Sequence, residues 1–428
     1  MTKIYVLLLL TVIFSLAHAE PTPVRFGLSD LFKTTVGENE DVRTREEERN
    51  QILETKNQGV GALLPQINGV GTYYQADLPN TSGSNLSNST TQKVLKLTGK
   101  QYLFKGGTEY AFLSRTKRLL EAKESELDGT RQRYFLELSS AYYDTLLRQA
   151  ELTHAKTELS LYDEQISELR SRVKIGRTRS SELLSVQAAR AGSEAQLRAT
   201  ESTLNSSKNR LANLARISPD FVLNEETPDS TSLSSLDEYL KLSGQRPDLV
   251  AARKKRDAAA EEVSFQRGGH FPTLDLAGNY YLKREGLGST NNSKWDAILT
   301  LTLPIFSGGT TQASVRQSAS SLKITEIETG RLERSTETDI RTLYQNLLAS
   351  EGELKSFTEA VELAKKSYDQ TRKDYRFGLT TNLDLLNTLK TLTAAKRNLD
   401  QAKYQHFLER IQIEIGSGKI PALHTARN

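Results

Sequence analysis

The chain has 428 residues, 26% charged and 37% hydrophobic, with a mean hydropathy of -0.51; that is too little apolar material for two or three compact cores and points to extended amphipathic structure. A formal charge of +4, or 4 minus 1 = +3 once a leader containing Lys3 is removed, excludes a strongly basic nucleic-acid binder. The absence of cysteine excludes a disulfide scaffold, a thiolate metal site, a cysteine nucleophile and a lipid-modified N-terminal cysteine.

Met1-Thr2-Lys3 makes a short positive start, Ile4 to Leu16 is nearly all apolar, and Ala17-His18-Ala19 has the small residues of a cleavage site. Residues 1–19 are predicted to be a secretory signal peptide cut before Glu20. The apolar run is shorter than the roughly 20 residues a spanning helix needs, which argues against a membrane anchor. No later segment is long and apolar enough to cross a bilayer as a helix, so any membrane the exported chain enters must be entered as strands.

The rest reads as two copies of one unit. Pro65-Gln66-Ile67 and Gly71-Thr72-Tyr73-Tyr74 are answered by Pro272-Thr273-Leu274 and Gly278-Asn279-Tyr280-Tyr281, at an offset of 272 minus 65 = 207. Phe104-Lys105-Gly106-Gly107 is answered by Phe306-Ser307-Gly308-Gly309, Tyr142 by Tyr344, Gly176 by Gly378, and Leu183-Leu184 by Leu385-Leu386, at 306 minus 104 = 202. The expected organisation is a first unit over 20–217, a Ser/Thr/Pro/Asp-rich linker over 218–235, a second unit over 236–416 and a tail over 417–428.

Each unit opens on a polar helical stretch, Asp30 to Gln58 and Leu236 to Gln266. A β-hairpin follows, over 66–103 and 273–304. In the second, Leu274, Leu276, Tyr280 and Leu282 alternate with polar residues, as do Trp295, Leu299, Leu301 and Leu303. Strands of about 10 residues suit a tilted membrane β-strand. The loop Asn80 to Gln92 is rich in Asn, Ser and Thr, and its sequons at Asn85 and Asn88 read as flexible-loop composition rather than glycan sites. Gly106, Gly107, Gly308 and Gly309 lack the Lys-Ser/Thr of a phosphate loop and are expected to turn strand into helix. Heptads then run through Leu138, Leu152, Leu159, Ile166 and Val173, and through Ile340, Leu347, Leu354, Val361, Tyr368 and Tyr375. After Gly176 or Gly378 a second helix returns, with Leu385, Leu392, Leu399 and Ile413 at its wide positions. The outgoing helix of about 68 residues would span roughly 100 Å and the returning one only roughly 60 Å, so the opening helix is expected to stack end to end on the returning one.

Four strands cannot close a barrel, and an open edge cannot sit in lipid, so several chains must share one sheet. Two would give eight strands with a filled interior; three would give twelve with room for a lumen. The signal, the tandem order of helix, hairpin, Phe-x-Gly-Gly, heptad helix, glycine turn and Asp-Leu-Leu, and the Arg246-Pro247-Asp248-Leu249 segment resemble the TolC family of outer-membrane efflux proteins over nearly the whole mature chain. The resemblance implies a mainly α fold with membrane β-strands: a homotrimer of tandem-repeat coiled-coil helices forming a periplasmic tube, with four strands per chain in a shared twelve-stranded barrel. It implies an exit duct of a tripartite efflux or type I secretion system in the outer membrane of a Gram-negative-type cell, with a periplasmic adaptor, an inner-membrane transporter and outer-membrane lipid as partners. No cofactor, metal, nucleic acid or catalysis is implied.

The family's acidic constriction ring maps by resemblance onto Asp384 and Asn387, six and nine residues past Gly378. The amide at Asn387 leaves one charged ring. Glu182 stands at +6 from Gly176, and Tyr375 matches the tyrosine that latches to that position in the family, while Thr380 replaces a basic residue. The bland alternative is that Asp384 and Glu182 simply favour a helix N-terminal turn. Adaptor docking maps onto Ile175-Gly176-Arg177 and Phe377-Gly378-Leu379. The scattered histidines, His406 on the heptad seam among them, read as packing residues rather than ligands. A periplasmic coiled-coil adaptor is the first rival, but it should show one hairpin between compact β-domains rather than two copies with membrane-length strands. A purely structural coiled coil would lack the hairpins.

Overall fold

The computed structural model describes residues 25–75, 91–228, 234–285, 293–421 and 423–425. The expected signal peptide and the sequons at Asn85 and Asn88 lie outside the described residues. In chain order the elements are β1 (Arg25–Phe26), α1 (Leu28–Thr35), α2 (Glu40–Gly61), β2 (Gln66–Gln75), β3 (Thr91–Lys105), α3 (Thr108–Lys174), α4 (Ser180–Ala215), β4 (Val222–Leu223) and β5 (Glu226–Pro228). The second half repeats the order with α5 (Leu236–Ser243), α6 (Pro247–Gly268), β6 (Thr273–Glu285), β7 (Trp295–Thr302), α7 (Thr310–Arg376), α8 (Asn382–Gly416) and β8 (Leu423–Thr425). The chain is mostly helical.

The long helices α3 and α7 have 67 residues each, about 100 Å at 1.5 Å per residue. Glycines bound them: Gly107 and Gly309 cap their N-termini at φ 77 and 82, and Gly176 and Gly378 follow their C-termini at φ 71 and 76, a left-handed backbone that other residues adopt at a cost. Along one stretch α3 pairs with α2, through Lys123–Glu48 (2.9 Å) and Arg131–Glu46 (3.1 Å). Farther on it pairs with α4, through Arg190–Asp163 (2.5 Å) and Ser207–Asp144 (2.8 Å). The end of α4 meets the start of α2 at the Arg216–Glu40 ion pair, so the two short helices stack along the long one.

The polar opening stretches are not single helices. They break at residues 36–39 and 244–246, where Asn39 caps α2 by accepting from the Asp41 and Val42 amides, and where Pro247 at the first position of α6 disfavours helix in the residue before it. The detached α1 and α5 form a belt around the shaft with the short strands. β1 pairs with β4, and β5 with β8, so the described part of the 218–235 segment is stitched to both ends of the chain. Glu226 reaches across the belt to accept from the Ser29 amide (2.9 Å) at the start of α1. The core is thickest here: Leu28, Leu31, Leu138, Tyr142, Tyr143 and Leu211 are fully buried, and the Tyr143 hydroxyl donates to the Glu226 carbonyl (3.0 Å). Burial drives the Tyr142 and Tyr143 phenols far up.

The sheet runs β2-β3-β6-β7, all antiparallel, with bulges between Leu95 and Lys96 and between Tyr102 and Phe104. The helices follow the same lateral order: α2, α3, α6, α7 beside the sheet, and α4, α3, α8, α7 at the far end. Beside the sheet and at the far end the chain is a layer four elements wide, with the belt added between them.

Candidate functional site

The two features that bear on function lie at opposite ends of this layer. In the sheet, alternation splits the residues between two faces. Ile67, Leu97, Leu276, Tyr280, Trp295 and Leu299 lie on one face and are exposed in the single chain. On the other face Lys96 donates to Asn279 (3.1 Å), while Asn279 (2.7 Å) and Tyr281 (2.8 Å) both donate to the Asp296 carboxylate. An apolar face with no protein cover suits lipid, and a hydrogen-bonded polar face suits water. Among the described residues no helix is long and apolar enough to cross a membrane.

The double glycines sit where β3 and the sheet's second half hand over to the long helices. Gly106 and Gly308 have φ 65 and 63. Gly106 also lies so close to the end of α6 that a Cβ there would stand 2.2 Å from the Gly268 carbonyl oxygen, whereas Gly308 and Gly61 have open space around them.

At the far end the tip is held by a core of Tyr162, Ile166, Leu169, Val186, Tyr368 and Leu389. In the α3–α4 turn the Arg177 amide donates to the Arg172 carbonyl (2.8 Å), and in the α7–α8 turn the Leu379 amide donates to the Asp374 carbonyl (2.9 Å). These six-to-one bonds close both helices and leave Ile175, Phe377 and Leu379 at 64%, 80% and 76% exposure. Gly176, Arg177 and Gly378 are exposed beside them.

Asp384 and Asn387 are both exposed on α8, while Leu385 and Leu386 between them are buried. Asp384 closes a capping box: its Oδ2 accepts from the Thr381 amide (3.1 Å), the Thr381 hydroxyl (2.5 Å) and the Thr380 hydroxyl (2.9 Å), and the Asp384 amide donates back to Thr381 (3.2 Å). The bonds from Thr381 and Thr380 hold its carboxyl below the usual range. Within the chain Asp384 thus caps a helix N-terminus, and the Thr-x-x-Asp spacing in the sequence announces that cap.

Tyr375 and Glu182 do not form a hydrogen-bonded latch within the chain. The Tyr375 hydroxyl is buried without a partner, and the Arg172 guanidinium lies 5.1 Å over its ring. Burial and the neighbouring Glu182 carboxylate push the phenol up, and Arg172 pulls it back. What ties the two halves together at the tip is a set of contacts between α3 and the second copy's helices: Gln165 donates to buried Asn382, His154 meets Asp400 (2.5 Å), Arg397 meets Glu158 (3.3 Å) and Arg372 meets Glu164 (2.8 Å). These pairs lie 208 to 246 residues apart and carry no local pattern. His406 is buried against the Ser350 hydroxyl (3.0 Å), and burial together with Arg410 lowers its pKa.

A helical shaft of this length, carrying a short sheet with one apolar and one polar face, is the plan of an outer-membrane channel subunit that reaches into the periplasm. The chain belongs to the outer membrane efflux protein family, whose model matches residues 31–215 and 240–414. It is 24% identical to outer membrane protein TolC of Vibrio cholerae, over 87% of this chain and 86% of that protein. It is 25% identical to the proteases secretion protein PrtF of Dickeya chrysanthemi, over 93% and 88%. Among solved structures, CusC superposes with a TM-score of 0.78 at 16% identity, over 91% of this chain and 92% of that one. The outer membrane protein VceC of Vibrio cholerae superposes with 0.76 at 18% identity, over 91% and 96%. The protein is an outer-membrane exit channel of the efflux and secretion class, and its relatives are transport channels rather than enzymes.

Proposed function

We propose that three copies assemble into one duct that passively conducts cargo handed over by an inner-membrane transporter, with a periplasmic adaptor docked at the helix tips around Ile175 and Phe377. The observation that carries the trimer is the four-element layer with two open edges. β2 and β7 each leave one side of the backbone unpaired within the chain, which lipid does not permit. The helices repeat the message. Ala122 of α3 is 1% exposed, but Ile324, its counterpart 202 residues on in α7, is 57% exposed; Leu146 is 6% exposed and its counterpart Leu348 is 48%. The first-copy residue is covered within the chain, and the second-copy residue is left open for a neighbouring copy. Three chains supply twelve strands, enough for a lumen lined by the Lys96–Asn279–Asp296 face.

The test is a mass measurement of the detergent-purified protein together with planar-bilayer recording. A trimer that conducts ions supports the reading. A stable monomer with folded strands, or a trimer that never conducts, removes it.

A further inference from the structure

The ladders of the sheet sort its charged residues by face, because side chains alternate along each strand and opposite residues share a side. Leu97, Tyr280 and Trp295 stand in one row of the apolar face, and Asn279 and Asp296 in a row of the polar one. Lys96 and Lys100 fall on the polar face: Lys96 donates to Asn279 (3.1 Å), and Lys100 lies 3.6 Å from Asp275. Lys105 joins them, since it and Lys100 lie over the Tyr102 ring, 5.1 and 4.7 Å from its centre, and Tyr102 pairs with Asp275. Arg284 lies 4.7 Å over the ring of Tyr281, whose hydroxyl donates to Asp296. The Tyr281 amide donates to the Lys294 carbonyl (2.8 Å), which carries the β6–β7 register one residue further and sets Lys294 opposite Tyr281 on the same face.

Among the described residues of the sheet, with Lys294, the polar face thus carries five cations against the two carboxylates Asp275 and Asp296. The excess is three positive charges per chain, or nine around three chains. The apolar face holds only Lys93, Lys283 and Glu285, all at the loop end. The surplus is spread over two levels. Toward the loops Lys96, Arg284 and Lys294 surround Asp296, and toward the helices Lys100 and Lys105 flank Asp275, so cations outnumber carboxylates at both. Lys105, Arg284 and Lys294 form no ion pair among the described residues, and two of them lie on tyrosine rings instead. A surplus of one sign on the wall of a narrow wet passage focuses its field and concentrates counter-ions there.

We infer that the sheet's polar face forms a lining that binds multivalent anions, and that the barrel therefore favours anionic cargo on the last leg of export. This rests on the trimer reading, which puts that face inside the barrel. A solute bearing several phosphates or carboxylates meets net positive charge at two successive levels, whereas a cation meets a barrier at both. The sign is opposite to that of Asp384 at the far end of the shaft. The two act separately, because about 100 Å of helix lies between them and charges are screened within about 8 Å at physiological salt.

The test is block of single channels in planar bilayers by inorganic tripolyphosphate at about 0.1 M KCl, where the screening length is about 10 Å. The polar shaft stays on the side where protein is added, so the blocker goes to the other side, which the loops face. It should reduce the current of the unmodified channel, and the block should fade at about 1 M KCl as the screening length contracts to about 3 Å. Combining Lys105→Gln, Arg284→Gln and Lys294→Gln removes the three unpaired cations and leaves the Lys100–Asp275 pair in place; the half-blocking concentration should rise at least tenfold. Lys93→Gln with Lys283→Gln removes two positive charges from the apolar face and should change it less than twofold. Absence of block in the unmodified channel, equal block in the triple variant, or an equal loss in the apolar-face variant overturns the inference while leaving a conducting trimer. A protein that forms no conducting trimer refutes the trimer reading, and the inference with it.

Discussion

Replacing Gly106 by alanine tests the close packing where strand turns into helix. Two penalties act there. At φ 65 a Cβ costs about 1–2 kcal/mol in left-handed backbone. The new methyl would also stand 2.2 Å from the Gly268 carbonyl oxygen and 3.2 Å from the Phe271 Cβ, and since the first neighbour is backbone it cannot swing aside. Overpacking of this kind adds about 1–3 kcal/mol, for a sum of about 2–5 kcal/mol. Gly308→Ala is the matched control. Its φ of 63 imposes the same backbone cost, but nothing lies within 4 Å in the chain, so a second penalty arises there only through a neighbouring copy in the proposed trimer. Gly106→Ala should lower the thermal midpoint followed by far-ultraviolet circular dichroism. Gly308→Ala should lower it less, and should reduce the trimer fraction at low protein concentration in detergent. Equal melting shifts with an unchanged trimer fraction in both variants would refute the packing argument.

Other consequences can be checked in the same preparations. Thr381→Ala removes the capping hydroxyl of α8 and should cost about 1 kcal/mol; because Asp384 has a depressed folded pKa, its share of the box is present above the usual carboxylate range and fades as pH falls through that depressed value, so the Thr381→Ala deficit should shrink in acid melts. His406 has a lowered folded pKa, so protonation favours the unfolded chain: its full contribution is present above about pH 6.5 and is lost as pH falls from there toward the folded value. His406→Gln should flatten that part of the stability curve. Gly378→Pro forces φ from 76 toward about -65 and removes the amide that donates to the Tyr375 carbonyl (3.1 Å), so it should abolish export while detergent-purified trimers persist; normal export would remove this turn from the docking surface.

The repeat, the strand alternation and the heptad seams were legible because each rests on a local period that one side chain per turn or per pleat must satisfy. Ile340, Leu347, Tyr368 and Tyr375 are buried at the spacing that marked them. The break between α1 and α2 has a local signal in the Asn39 cap, but where α1 then packs was not legible in the same way: its position depends on Glu226, 197 residues from the Ser29 amide it accepts from. At the tip, Thr381-x-x-Asp384 has by its spacing alone the form of a capping box, and the structure contains it. The Gln165–Asn382 and His154–Asp400 ties had no such signal, since each joins two ordinary polar residues in different copies.

Tandem duplication lets equivalent positions in the two copies take different partners. The contact between copies within the chain collects His154–Asp400, Arg397–Glu158 and Gln165–Asn382, whereas the equivalent positions 202 residues away hold Ser356 and Arg198, Ala360 and Ala195, and Ser367 and Ser180. One unfused unit could not separate the two sets, because a single sequence would have to serve both. Divergence reaches the sheet end of the helices as well: Arg115 pairs with Glu262, but the equivalent residues are Gln317 and Thr55. The strands themselves are held under a different constraint, because an unpaired edge in lipid is costly in either copy.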